Sequence, residues 1–178
     1  FIANSPVVLI LGDNIFHGSN LIKSLKEANL EDDYSTIFVY PVKDPERYGV
    51  VEFDRNYNVL GIEEKPNDPK TNYAVTGIYF YKNEVIKKIK NLKPSTRGEF
   101  EITDLNQLLL SEKQLKIQLL GRGTAWLDTG TYDSLHEASS FIKIIEQRQG
   151  FKIGCPEEVS WRQNWISNNQ LINLSKSL

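Results

Sequence analysis

The chain of 178 residues is 25% charged and 40% hydrophobic, with Phe, Tyr and Trp at 11%, a composition that supplies one well-buried core and excludes disorder as the dominant state. Twenty-one Lys and Arg against 23 Asp and Glu leave a net charge of −2, so the basic stripe of a nucleic-acid binder is missing and no nucleic-acid partner is expected. The longest apolar run, Val7 to Leu11, is far too short to span a bilayer, no signal-peptide pattern opens the chain, and Cys155 as the sole cysteine excludes an internal disulfide.

These features read as a cytoplasmic protein without membrane contact. Two histidines and one cysteine do not make a zinc cage, so any metal is expected on oxygen ligands. Methionine is missing at every position, the first included, and the chain therefore reads as a fragment that lacks residues upstream.

In chain order, Val7-Val8-Leu9-Ile10-Leu11 is a continuous β-favouring run, expected to be a strand buried on both faces of a parallel sheet, and Gly12-Asp13-Asn14 stops it with a polar turn. A loop follows, and then Ser19 or Asn20 caps a helix with Leu21, Ile22, Leu25 and Ala28 on one face. Thr36 to Val42 returns as a second strand. Ligands of such a βαβ arrangement gather at the carboxyl ends of the strands, where Asp13 stands. Gly49 to Asp54 and Val59 to Glu64 are strand-like runs around the turn Arg55-Asn56-Tyr57-Asn58, and Tyr73 to Tyr81 is a third extended run. Two prolines make Lys65-Pro66-Asn67-Asp68-Pro69 a loop. Helices are predicted over 84–89, 102–110 and 134–145, a strand over 116–120, and one or two helices from Pro156 onward. With no repeat or flexible linker, the expected architecture is α/β, a single unit with a mixed sheet.

Two carboxylates stand out. Asp13 closes the first strand, and Asp128 lies between Trp126-Leu127 and Thr129-Gly130. Mg²⁺ commonly takes one or two protein carboxylates and leaves its other positions to water and phosphate, which this pair would satisfy, although both residues also suit plain turns. Glu64 and Lys65 leave a strand together: a carboxylate accepts sugar hydroxyls and a lysine ammonium pairs with phosphate. Arg97, beside Gly98, offers a second cation on a loop, and Gly49 after Tyr48 allows close backbone approach. Surface charge and an ordinary turn account for these residues as well. His17 and His136 lack a nucleophile at a recognisable elbow, and Cys155 reads as a small side chain, so none is assigned to catalysis.

Taken together, Leu11-Gly12-Asp13-Asn14, Tyr48-Gly49-Val50, Glu63-Glu64-Lys65-Pro66, Thr76-Gly77-Ile78-Tyr79, Arg97-Gly98-Glu99-Phe100-Glu101-Ile102-Thr103-Asp104 and Ala125-Trp126-Leu127-Asp128-Thr129-Gly130 resemble, in order and interval, the glucose-1-phosphate thymidylyltransferases, a family of sugar nucleotidyltransferases. The resemblance implies a Rossmann-like mixed sheet of the nucleotide-diphospho-sugar transferase type with an inserted β-rich sugar-binding region and C-terminal helices. It divides the single domain 1–178 into a catalytic core over 1–150 and a helical tail over 151–178.

The implied reaction joins dTTP and glucose 1-phosphate into dTDP-glucose and pyrophosphate by in-line attack at the α-phosphate. By resemblance Asp13 and Asp128 hold Mg²⁺, Lys65 and Arg97 clamp the sugar phosphate, and Glu64 with the backbone around Gly49 and Val75 holds sugar hydroxyls. Tyr48 and Trp126 wall the pocket. Glu158 and Arg162 fall where the family has a regulatory nucleotide site, and the family's homotetramer is expected. The family's N-terminal strand and glycine-rich loop have no counterpart here, so the chain alone is expected to show little or no transferase activity. A glucose-1-phosphate uridylyltransferase and a non-catalytic nucleotide-sugar-binding module are the rival readings.

Overall fold

The computed structural model describes residues 2–30, 33–95 and 98–176. The chain forms two compact units, Phe1–Gly130 and Thr131–Leu178. In chain order the first contains β1 (Val7–Ile10), β2 (Asn14–Gly18), α1 (Leu21–Leu30), β3 (Ser35–Pro41), a 3-10 turn (Pro45–Arg47), β4 (Gly49–Phe53), β5 (Val59–Glu64), β6 (Tyr73–Tyr81), α2 (Val85–Ile89), α3 (Ile102–Ser111), β7 (Leu115–Leu119) and β8 (Thr124–Asp128). The second contains α4 (Tyr132–Gln149), α5 (Pro156–Arg162) and α6 (Asn168–Ser175). The helix expected from Ser134 thus starts earlier, because Thr131 and Ser134 cap each other reciprocally, and it belongs to the second unit. Among the described residues no helix is long and apolar enough to cross a membrane.

The main sheet of the first unit is mixed, with order β5-β4-β6-β3-β7 and β1 added on β6. Only β3 and β7 run parallel; the other pairs are antiparallel. Strand periodicity divides its side chains into two cores. Ile37 and Val39 of β3 face Leu105 and Leu109 of α3, whereas the intervening Phe38 joins Ile78 of β6 and Ala28, Leu21 and Leu25 of α1 on the opposite face. Helices therefore cover both faces of the central strands.

The expectation for β1 fails. It runs antiparallel to β6, and Val8, Leu9, Ile10 and Leu11 are 38–59% exposed. The apolar run is a strand as expected, but β6 is its only partner among the described residues, and of its side chains Val7 packs against the core while Val8 and Ile10 face solvent.

The loop expected after Asp13 is also a strand. β2 pairs antiparallel with β8 as a separate two-stranded ribbon, Asn14 opposite Asp128 and Gly18 opposite Thr124. This ribbon carries two parts of the sequence into one place.

Candidate active site

One edge of β6 is shared by two strands. β4 touches it at Ala74, β1 pairs along Ile78–Tyr81, and the chain leaves the edge after Leu11, whose amide donates to the Gly77 carbonyl at 2.9 Å. Between the two, among the described residues, β6 has no strand beside it on that edge over Val75–Gly77. A pocket of about 230 Å³ opens there. Its floor is Val75, Thr76, Gly77 and Tyr79; Arg47, Tyr48 and Gly49 enter from the start of β4, Glu64 and Lys65 from the end of β5, Ile102 and Thr103 from α3, and Asp13, Asn14, Trp126 and Asp128 from the ribbon. A break where neighbouring strands part company is where α/β sheets place ligands.

The ribbon's register brings the two carboxylates to this pocket. Thr129 donates both its amide and its hydroxyl to the Asp13 carbonyl, each at 2.8 Å, which fixes Asp13 beside the Asn14–Asp128 pair. Asp13 Oδ1 accepts from Asn14 Nδ2 at 2.8 Å, and Asp128 Oδ1 accepts from the Gly130 amide at 3.3 Å. Among the described residues no group of three or more His, Cys, Asp and Glu is arranged for a metal ion. Two carboxylates with hard oxygen donors at the mouth of a polar pocket remain, and this donor set suits a divalent cation that draws its other ligands from water and phosphate.

On the other side, Glu64 stands opposite Gly49 in the β4–β5 ladder. The buried Thr103 hydroxyl, in the first turn of α3, donates to Glu64 Oε2, while Oε1 lies 3.9 Å from Lys65 Nζ. Lys65 adopts φ +44°, the left-handed region that costs a side-chain-bearing residue about 1–3 kcal/mol and concentrates at functional sites. Its amide donates to the Tyr48 carbonyl at 3.0 Å, which ties the end of β5 to the start of β4. Tyr48 packs against Trp126 with ring centroids 5.1 Å apart, and the Arg47 guanidinium lies 5.3 Å above the Tyr48 ring. Burial raises the Tyr48 phenol above its ordinary range, opposed by Arg47; the hydrogen bond to Asp44 holds the Arg47 guanidinium charged, with Asp128 adding to the same effect.

Of the residues singled out in the sequence, Asp13, Tyr48, Gly49, Glu64, Lys65, Val75, Trp126 and Asp128 all line this pocket. Arg97 lies outside the described residues. Glu158 and Arg162 belong to the second unit and pair with each other along α5 at 2.8 Å. His17 lies in β2 without lining the pocket, and His136 lies in α4 of the second unit. Sequence reasoning missed Asn14, Arg47 and Thr103. The first was absorbed into a turn, and the other two stood beside residues that carried the attention, Tyr48 and the Arg97 loop.

Comparison with known proteins places the chain in a family. The nucleotidyl transferase family pattern matches residues 1–144. A glucose-1-phosphate thymidylyltransferase of Neisseria gonorrhoeae is 52% identical over 178 residues, all of this chain and 62% of the relative; the chain thus spans about three fifths of the length of the curated relatives it matches. A Bacillus anthracis structure assigned to the same activity, solved with a sucrose, superposes with a TM-score of 0.70 at 41% identity and covers 79% of this chain and 55% of that one. An apo UDP-glucose pyrophosphorylase structure shares the fold, with a TM-score of 0.72 at 23% identity over 83% of this chain and 56% of the other. With the family pattern matched over most of its length, the chain belongs to the nucleotidyl transferase family.

Proposed function

We propose that this chain carries the sugar-phosphate side of a nucleotidyl transfer in which glucose 1-phosphate and dTTP give dTDP-glucose and pyrophosphate. The observation that carries the reading is the convergence of Asp13 and Asp128, through the β2–β8 register, on the pocket that holds Glu64 and Lys65. A phosphate oxygen of the sugar attacks the nucleotide α-phosphorus; the new P–O bond forms as the bond to the bridging oxygen breaks, and pyrophosphate leaves with its electron pair. No proton transfer to a side chain is needed, so positioning and charge neutralisation do the work.

Lys65 holds the sugar phosphate, and the family resemblance assigns Arg97 as a second cation for it. Glu64, aligned by Thr103, accepts hydrogen bonds from sugar hydroxyls, and Tyr48 with Trp126 excludes water from the ring face. Asp13 and Asp128 would hold Mg²⁺, which when bound supplies charge neutralisation at the α-phosphate. Glu158 and Arg162 are proposed for a regulatory nucleotide site, and the assembly is proposed as a cytoplasmic homotetramer, as the family resemblance implies.

Calorimetry and turnover test the reading. Glucose 1-phosphate is expected to bind the chain, and Lys65→Ala to weaken that binding roughly 10- to 100-fold, the worth of a charge-assisted hydrogen bond. In a chain of the relatives' full length, Asp128→Asn lowers turnover by about 100-fold or more, since half of the protein's charge on the metal is lost. Turnover with UTP as fast as with dTTP would replace the thymidylyl reading with a uridylyl one. Nucleotide-sugar binding without metal-dependent turnover would replace it with a binding module.

A further inference from the structure

Asn14 stands where three parts of the pocket meet. Its Oδ1 accepts two hydrogen bonds, from the Gly77 amide of β6 at 3.1 Å and from the Trp126 indole of β8 at 2.6 Å. An amide oxygen held by two N–H donors does not exchange places with the amide nitrogen, because the flip would set donor against donor. The nitrogen is thereby aimed, and it donates to Asp13 Oδ1 at 2.8 Å. The fit is tight. A Cβ at Gly77 would lie 2.6 Å from Asn14 Cγ and Oδ1, so glycine is required there for the amide to reach the strand. In the ribbon, meanwhile, the backbone of Asn14 is the partner of Asp128.

We propose that Asn14 is a positioning residue that fixes the Asp13 carboxylate in one orientation by tying it, through a single amide, to the Gly77 backbone and the Trp126 indole. The claim rests on the reading of Asp13 and Asp128 as the cation-binding pair. A residue that only filled this volume would need no donor toward Asp13, and an aspartate of the same shape would have none to offer. The hydrogen-bonding partners of metal ligands orient those ligands and tune their affinity, and Asn14 has the geometry of such a partner. Through the same amide, the aromatic wall of the sugar side and the carboxylate of the cation side are set together.

The test is run on the 178-residue chain, with Mn²⁺ followed by electron paramagnetic resonance. Trp126 emission is followed in a Trp161→Phe, Trp165→Phe background, which leaves Trp126 as the only tryptophan. Asn14→Ala is expected to weaken Mn²⁺ binding about 10-fold, within the range for lost second-sphere partners, and to expose the indole to iodide quenching while the far-ultraviolet circular dichroism stays native. Trp126→Phe, which removes the indole donor but no metal ligand, is expected to weaken Mn²⁺ binding in the same direction as Asn14→Ala and by less, because the Gly77 amide still holds Asn14.

If the unsubstituted chain binds Mn²⁺, Asp128→Asn abolishes that binding, and both Asn14→Ala and Trp126→Phe stay within about twofold of the unsubstituted chain, the positioning role is overturned and the cation pair stands. If Asp128→Asn leaves Mn²⁺ binding intact, the cation pair itself is wrong and the positioning claim falls with it. Loss of native dichroism in Asn14→Ala together with an unchanged Mn²⁺ affinity in Trp126→Phe would make Asn14 a structural residue and overturn the proposal.

Discussion

Tyr79 and Tyr81 lie on the same face of β6, stacked with centroids 5.7 Å apart and nearly parallel rings, and both are buried. Burial pushes both phenols well above their ordinary range; Glu64 adds to the effect on Tyr79 and Tyr79 to that on Tyr81. The sign follows from linkage. Above about pH 10 the unfolded chain releases these protons while the folded one retains them, so stability contributed by the neutral phenols is complete below that pH and is lost as pH rises beyond it. Urea titrations at increasing alkaline pH should show this fall, and it should be shallower in Tyr81→Phe. That substitution has its own cost at neutral pH: Tyr81 donates to Asn106 Oδ1 at 2.8 Å, and the Asn106 nitrogen is already buried without a partner among the described residues. We expect a loss of about 1–3 kcal/mol, the penalty for stranding a buried acceptor. At this scale the candidate site was largely legible. Asp13, Asp128, Glu64 and Lys65 are charged residues at the ends of apolar runs, where a sequence signals an exception. Asn14 and Thr103 gave no such signal, because their importance lies in partners that only folding supplies.

The elements explain what the sequence withheld. The extended runs that became β3 to β6 were readable because each is long or has its partner or turn nearby, and β7 because Leu115, Ile117 and Leu119 alternate with polar residues. β2 was not, since Asn14–Gly18 mixes polar and apolar residues, includes a glycine and pairs with residues more than a hundred positions later. A short two-stranded ribbon holds only if its backbones approach closely, and here they do at Gly18, where an added Cβ would come 2.8 Å from Thr124 Cα and 2.9 Å from the Gly123 carbonyl. Both neighbours are main chain and cannot swing aside. Gly18→Ala is therefore expected to cost about 1–3 kcal/mol in thermal or chemical unfolding, as overpacking does. It should also weaken Mn²⁺ binding by spreading the two aspartates, and native affinity in this variant would show that the ribbon does not hold them. Register matters as much as proximity. A slip of one residue would turn Asp128 to the other face of the ribbon.

For the molecule as a whole, β1 is the exposed feature. Val8 and Ile10 are 49% and 59% exposed on a strand whose only partner among the described residues is β6. An apolar strand with a free edge is a template for self-association. Ile10→Lys should lower concentration-dependent association of this chain in light scattering without reducing its thermal stability, because the side chain is already largely in solvent. The mixed α/β class was legible from the alternation of runs, while the antiparallel setting of β1 was not, since an apolar run records a preference to avoid water and not which neighbour a strand takes. The Thr129 hydroxyl that closes on the Asp13 carbonyl bridges 116 positions. Contacts of that span form late, after the chain between them has paid its closure entropy. During synthesis, then, β1, α1 and the β4–β5 hairpin all emerge before Asp128 does, and a ribosome that stops short of Asp128 releases a product with most of its sheet and without the proposed cation pair.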